Sequence, residues 1–275
     1  VSRTHDAPAA AGSDGTGRAG RPRLDLSVYL VTDTAQCGDL GVPETVRRAV
    51  SAGVTLVQLR DPDCSDDEFV RLGQAVAGAL AGSGVPLLLN DRVHLVAAVG
   101  ADGAHVGQGD MPVRRARELL GPDALLGLSV NTATELAAAR ADDPTGEVID
   151  YLGLGIYRAT ATKPDHAPAE GLANIRALAA ASPWPTCAIG GVKAADAGAL
   201  RGAGVDGMAV VSAICGCPDV AAATRELAQA WAAAGVRTGS PARPDVRTGS
   251  PTGPDVRAGS PTAPDVRPDA PDGRA

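Results

Sequence analysis

Between residues 24 and 235 short apolar runs alternate with helix-like segments in a regular beat. The apolar runs predict strands at 27–33 (SVYLVTD), 54–60 (VTLVQLR), 85–90 (VPLLLN), 102–107 (DGAHVG), 125–130 (LLGLSV), 148–153 (VIDYLG), 185–190 (PTCAIG) and 206–212 (DGMAVVS). Helices are expected between and after them, at roughly 43–52, 65–81, 92–99, 112–120, 132–141, 169–181, 193–202 and 219–234. Asn131-Thr132 followed by Glu135 has the form of a helix N-cap with a capping box. Pro112 and Pro218 suit first-turn positions. The strands are continuously apolar, as expected when both faces of a parallel sheet are covered. Eight strand–helix units in about 210 residues predict an α/β fold of the (β/α)₈ TIM-barrel type. The alternative is an open doubly wound sheet. That fold usually carries a glycine-rich first turn, and Thr32-Asp33-Thr34 is not one.

The flanks have a different composition. Residues 1–23 mix Ala, Gly, Arg and polar residues without periodicity, which predicts a disordered N-terminal extension. Residues 236–275 form a decapeptide repeat: VRTGSPARPD, VRTGSPTGPD, VRAGSPTAPD and a degenerate VRPDAPDGRA. One valine and two prolines per unit cannot build a core, so a solenoid is excluded and a disordered tail is expected. The domain limits are therefore 24–235 for the barrel. A net charge of −7 and 2% aromatic residues argue against a nucleic-acid surface. No apolar run reaches membrane-spanning length and the N-terminal residues lack a secretory core, so a cytoplasmic protein without a membrane partner is expected. Cys37, Cys64, Cys187, Cys215 and Cys217 form no CxxC pair and read as reduced thiols.

In a barrel the chemistry lies at the C-terminal ends of the strands. Those ends read Asp33; Gln58 and Arg60; Asn90 and Asp91; His105 with Gln108-Gly109-Asp110; Ser129; Thr160, Thr162 and Lys163; Gly190-Gly191; and Ser212. The segment from Gly155 to Asp165, GIYRATATKPD, packs two hydroxyls and one of only two lysines into four residues. Hydroxyls, backbone N–H groups and an ammonium together suit a phosphate, although a plain polar loop has the same composition. Asp91 and Asp110, on neighbouring strands, would repel one another beside Arg60 and Lys163 unless a cation lay between them. Mg²⁺ fits that requirement, since it takes a few carboxylates with phosphate oxygens and water. Each aspartate serves equally as a helix cap. Ile189-Gly190-Gly191-Val192 and Val211-Ser212-Ala213-Ile214 have the placement of the phosphate site that barrels build after strands seven and eight. Gly153-Leu-Gly155-Ile-Tyr-Arg158 fails the GxGxxG pattern, so no dinucleotide fingerprint is read there. His94 and His166 have no site context; His105 either meets ligand or packs inside the barrel.

Seven blocks in this order resemble the thiamine-phosphate synthase family: VQLRD (57–61), LLLNDR (87–92), GAHVGQGDMP (103–112), LGLSVNT (126–132), TATKPD (160–165), AIGGV (188–192) and VVSAI (210–214). The resemblance spans about residues 27–230 and implies a (β/α)₈ barrel. It implies a transferase that couples an aminopyrimidine methyl diphosphate to a thiazole ethyl phosphate (or its 2-carboxy form) and releases pyrophosphate. By that resemblance Gln58, Leu59, Arg60, Asp61, Pro62, Asn90, Ser129 and Lys163 hold the pyrimidine diphosphate, with Arg60, Lys163 and Ser129 catalytic. Asp91 and Asp110 hold Mg²⁺, and Thr160, Ala161, Thr162, Gly191, Val211 and Ser212 hold the thiazole phosphate. The partners are then small molecules; a homo-oligomer is allowed by the sequence but not required. Two departures stand out. Pro62 replaces the lysine of the family's QxRxK run, removing one cation from the diphosphate, and Ile156 follows Gly155 where the family tends to have proline. Arg158 is expected as a compensating cation. Two rivals remain in view: a related thiazole tautomerase, which needs neither the diphosphate set nor the metal, and a weakened protein that binds thiamine precursors.

Overall fold

The computed structural model describes residues 21–158 and 171–235. Eight parallel strands close on themselves in chain order: β1 (Val28–Val31), β2 (Leu56–Leu59), β3 (Leu87–Asn90), β4 (Gly103–Val106), β5 (Leu125–Val130), β6 (Tyr151–Leu154), β7 (Thr186–Ala188) and β8 (Gly207–Val210). Pairing of Tyr29 with Ala209 completes the ring. Helices α1 (Thr34–Cys37), α2 (Val42–Ser51), α3 (Asp66–Leu80), α4 (Val96–Val99), α5 (Val113–Leu120), α6 (Ala133–Asp142), α7 (Gly171–Ala181), α8 (Ala197–Ala203) and α9 (Val220–Ala233) follow the strands. The expected TIM barrel is the fold, and each expected strand and helix has a counterpart.

Strand parity sorts the core. Val28, Leu30, Val57, Leu59, Leu87, Leu89, Ala104 and Val106 point outward into the apolar layer beneath the helices. The alternate residues Tyr29, Val31, Leu56, Leu88, Leu125, Tyr151, Cys187 and Ala209 form a separate cluster inside the barrel. Side chains two apart share a face. Gln58, Asn90, His105 and Ser129 therefore share the interior with Leu56, Leu88 and Leu125. Parity alone brings these four polar groups from four strands into one space.

Local sequence fixes the helix starts. Ser65 opens α3 and Thr132 opens α6, each by a reciprocal capping box with the glutamate three residues on. The box expected at Thr132 is therefore present. Pro112 takes the N-cap position of α5, and Asp219 rather than Pro218 caps α9. The short α1 lies outside the helices that the sequence pattern predicts; Asp33 starts it by accepting from the Gln36 amide at 2.9 Å.

The sixth strand begins three residues later than its apolar run. Asp143 accepts from the Ile149 amide at 2.8 Å, and Asp150 accepts from the Leu126 amide at 2.8 Å. Side chains thus engage this stretch before the ladder does. Asp150 also pairs with Arg117 at 2.7 Å and with Arg21. Arg21 falls in the expected extension 1–23, yet it docks on the base of the barrel, donating to the Pro122 carbonyl at 2.6 Å. The rest of both expected extensions lies outside the described residues. No helix among the described residues is long and apolar enough to cross a membrane.

Candidate active site

A cavity of about 460 Å³ opens at the C-terminal ends of the strands. Of the expected site residues, Gln58, Arg60, Asn90, Asp110, Ser129, Gly191, Val211 and Ser212 line it. Arg60 follows β2, where the Thr32 hydroxyl accepts from its amide at 3.0 Å. Its guanidinium has no ion-pair partner among the described residues, which leaves its charge available to an anion.

Other expected residues stand apart from the wall. Leu59 is fully buried in the outer apolar layer, so only its backbone can face a ligand. Asp61 accepts from the Thr34 hydroxyl at 2.7 Å, tying the β2 loop to α1, and Pro62 is exposed on that loop. Thr160, Ala161, Thr162 and Lys163 lie outside the described residues.

The two aspartates are not helix caps. Asp110 turns back to accept from the Gly107 amide at 2.8 Å. Asp91 is the one non-glycine residue with left-handed backbone among those described, at φ 60°. Its amide donates to the His105 carbonyl at 2.9 Å, and its carboxylate accepts from the Asn90 amide group. A small polar side chain tolerates this backbone better than a bulky one. No cluster of three or more His, Cys, Asp or Glu side chains suited to a metal exists among the described residues. Two carboxylates on adjacent strand ends, one lining the cavity, still match the hard oxygen donors Mg²⁺ uses when a phosphate completes its shell. By donor type alone, the pair is of the kind that ion takes.

After β7 the chain turns on two glycines in left-handed conformation, Gly190 (φ 101°) and Gly191 (φ 66°). A Cβ on Gly190 would lie 2.8 Å from the Ile156 side chain and 3.0 Å from the Tyr157 nitrogen, so only glycine fits. The segment after β6 continues alongside: Tyr157 donates to the Ile189 carbonyl and Arg158 to that of Gly190, both at 2.9 Å. The Gly155–Ile156 peptide is cis.

Arg158 does not supply the expected compensating cation. Its guanidinium stacks 4.4 Å from the Tyr157 ring centroid and forms two bonds to the Asp196 carboxylate, at 2.5 and 2.6 Å. Burial alone would raise the Asp196 pKa, but the bonds from Arg158 and from the Lys193 amide outweigh it and hold the carboxyl below its ordinary range. The charge is thus spent on fastening the two loops rather than facing the cavity.

Beneath the mouth a hydrogen-bonded chain crosses the barrel interior. Gln58 Nε2 meets the Tyr29 hydroxyl at 2.5 Å, and that hydroxyl lies 2.7 Å from the Tyr151 hydroxyl. Tyr151 lies 2.8 Å from His105 Nδ1, and His105 Nε2 lies 2.9 Å from Ser129 Oγ. Burial pushes the pKa values of both phenols up, so they stay protonated. Gly127 makes room for the pair: a Cβ there would lie 2.2 Å from the Tyr151 ring and 2.4 Å from His105 Nδ1. Tyr29 and Tyr151 sit in apolar strand runs, and nothing in those runs marks them as polar groups. Their parity with Gln58 and Ser129 was the available signal.

Fold and mouth together define a (β/α)₈-barrel protein with an anion-suited cavity at the catalytic end. The chain belongs to the thiamine-phosphate synthase family: the family model for thiamine monophosphate synthase matches residues 28–214. A thiamine-phosphate synthase of Laribacter hongkongensis is 49% identical over 205 residues, 74% of this chain and 94% of that protein. One from Azorhizobium caulinodans is 46% identical over 204 residues, covering 74% and 94% respectively. Among solved structures, the thiamine phosphate pyrophosphorylase of Pyrococcus furiosus superimposes with a TM-score of 0.67 at 31% identity, covering 76% of this chain and 96% of its own.

Proposed function

We propose that this chain joins 4-amino-2-methyl-5-pyrimidinylmethyl diphosphate to 4-methyl-5-(2-phosphoethyl)thiazole, giving thiamine phosphate and pyrophosphate. The observation that carries the reading is the mouth itself. In a chain of this family, Gln58, Arg60, Asn90, Asp110 and Ser129 face Gly191, Val211 and Ser212 across one cavity. The first group would seat the pyrimidine diphosphate. The second, with Thr160, Ala161 and Thr162, would seat the thiazole phosphate, and Lys163 would join the first group in holding the diphosphate. Among the described residues the Gly191 and Ser212 amides have no backbone acceptor, which suits them to phosphate oxygens.

The amino-substituted ring delocalises positive charge on the methylene carbon, so the C–O bond can break ahead of attack. Negative charge then gathers on the departing pyrophosphate, where Arg60 and Lys163 would stabilise it. Asp91 and Asp110 would hold Mg²⁺, which when bound supplies further charge neutralisation at those oxygens. The thiazole nitrogen has no proton to lose, so no general base is required. Holding both reactants in contact supplies much of the rest. The five cysteines are free thiols, in keeping with a reducing compartment such as the cytoplasm.

The test is pyrophosphate release by the full chain with both substrates and Mg²⁺, omitting each in turn. Release that needs all three, with an equal amount of thiamine phosphate, supports the reading. No release, with the thiazole phosphate still bound, would refute it and favour the tautomerase or the precursor-binding protein.

A further inference from the structure

The chain of bonds from Gln58 to Ser129 has only two self-consistent directions. As it stands, Gln58 Nε2 can only donate, so the Tyr29 oxygen accepts from it. Tyr29 has no other acceptor among the described residues, so its proton goes to Tyr151. Tyr151 must then give its proton to His105 Nδ1, which is therefore the bare ring nitrogen. The ring proton sits on Nε2 and is donated to Ser129 Oγ. The Ser129 hydroxyl proton is left for the cavity. At the opposite end Gln58 keeps its carbonyl oxygen for the cavity.

Turning the Gln58 amide over reverses every link. Tyr29 would donate to Oε1, Tyr151 to Tyr29, His105 Nδ1–H to Tyr151, and Ser129 to a bare Nε2. Gln58 would then show the cavity two donors, and Ser129 only lone pairs. A doubly protonated imidazole satisfies neither direction, because it would donate at both nitrogens. The hydrogen-bonding characters of Gln58 and Ser129, on strands β2 and β5, are thus locked to one another through the chain of bonds between them.

The geometry points to His105, with Tyr151 and Tyr29, as a positioning relay that makes Ser129 a donor and Gln58 an acceptor toward an amino-bearing, phosphorylated heteroaromatic substrate. The inference rests on the proposed seating of the pyrimidine diphosphate and deepens it. Diphosphate oxygens and ring nitrogens are acceptors and need the Ser129 proton. The exocyclic amino group is a donor and needs the Gln58 carbonyl. A pyrimidine carrying an oxo group in place of that amine would meet the carbonyl head-on. Sites built around a buried hydrogen bond reject the wrong partner strongly.

Two measurements test this. In the ligand-free full chain at neutral pH, nitrogen NMR of the His105 ring, assigned by comparison with His105→Gln, should show the neutral Nε2–H tautomer. The Nδ1–H tautomer or an imidazolium would overturn the relay whatever the reaction proves to be. Calorimetry should then find that the wild-type chain binds the aminopyrimidine methyl diphosphate about 100-fold or more tighter than its oxo analogue. Tyr29→Phe frees the Gln58 amide to turn and should shrink that preference at least about tenfold. Tyr151→Phe cuts the relay from the other side and should do the same, which keeps the test open if one variant fails to fold. A preference unchanged in both, with the two ligands weakened equally, would mean the tyrosines only pack, and would overturn the proposal. Should neither ligand bind wild type, the functional reading fails while the tautomer still decides the relay.

Discussion

Gly127→Ala puts a single methyl group where the structure has least room. The new Cβ would lie 2.2 Å from the Tyr151 ring carbon, 2.4 Å from its hydroxyl and 2.4 Å from His105 Nδ1. None of these neighbours is a flexible chain end: both rings are buried and hydrogen-bonded. Something must move, and the Tyr151–His105 bond is the contact directly in the way. Overpacking of a core costs about 1–3 kcal/mol. Parting two buried hydrogen-bonding groups adds about 1–3 kcal/mol. For a domain of this size each kcal/mol lowers Tm by roughly 2–4 °C, so a Tm about 10 °C lower is expected by differential scanning fluorimetry. Gly78→Ala is the matched control. It lies in α3 with nothing within 4 Å of the added Cβ. Relief of glycine's conformational entropy there should stabilise by about 0.5–1 kcal/mol. A Gly127→Ala protein that melts within about 2 °C of wild type would refute the close packing at the barrel floor, and with it the order assigned to the relay.

Other expectations follow from the mouth. Asp110→Asn should lower Mg²⁺-dependent turnover about 100-fold or more, with Tm little changed, since the amide oxygen can still accept from Gly107; steady-state kinetics and a melt read both. Pro62→Lys returns a lysine to the loop after β2 and should lower KM for the diphosphate substrate by roughly tenfold, with KM for the thiazole phosphate unmoved. Arg158→Ala should do the opposite, raising KM for the thiazole phosphate and leaving that of the diphosphate within about threefold, because Arg158 fastens the Gly190-Gly191 turn. The same variant tests the Asp196 carboxyl, whose lowered pKa contributes stability above the unfolded value of about 3.9 and loses it as pH falls through the folded value. Acid titration of Tm should therefore show a shallower fall below about pH 4 in Arg158→Ala than in wild type.

The barrel was legible because its outward-facing strand residues are apolar almost without exception, and because the expected turns sit at nearly regular intervals. Strand ends proved harder to place where a side chain captures the backbone first, as Asp143 and Asp150 do ahead of Tyr151. The mouth was legible as a set of polar strand ends, since topology alone gathers them. Side-chain direction was not legible: Leu59 belongs to a motif yet faces the helices, and Arg158, a spare cation by sequence, is held by Asp196. Tyr29 and Tyr151 read as apolar strand residues because a hydroxyl at the end of a ring shows its partner only in three dimensions.

Asp91 sets folding and chemistry against each other at one position. Its left-handed backbone, φ 60°, costs an ordinary L-residue roughly 1–2 kcal/mol and costs glycine almost nothing. Asp91→Ala should therefore lose stability as well as turnover, while Asp91→Gly should keep its fold and lose turnover alone. A screen scoring only the yield of folded protein would accept glycine at 91, and one scoring thiamine phosphate would discard it. The gap between those two rankings, residue by residue, separates what selection for a sound barrel would choose from what selection for the reaction has kept.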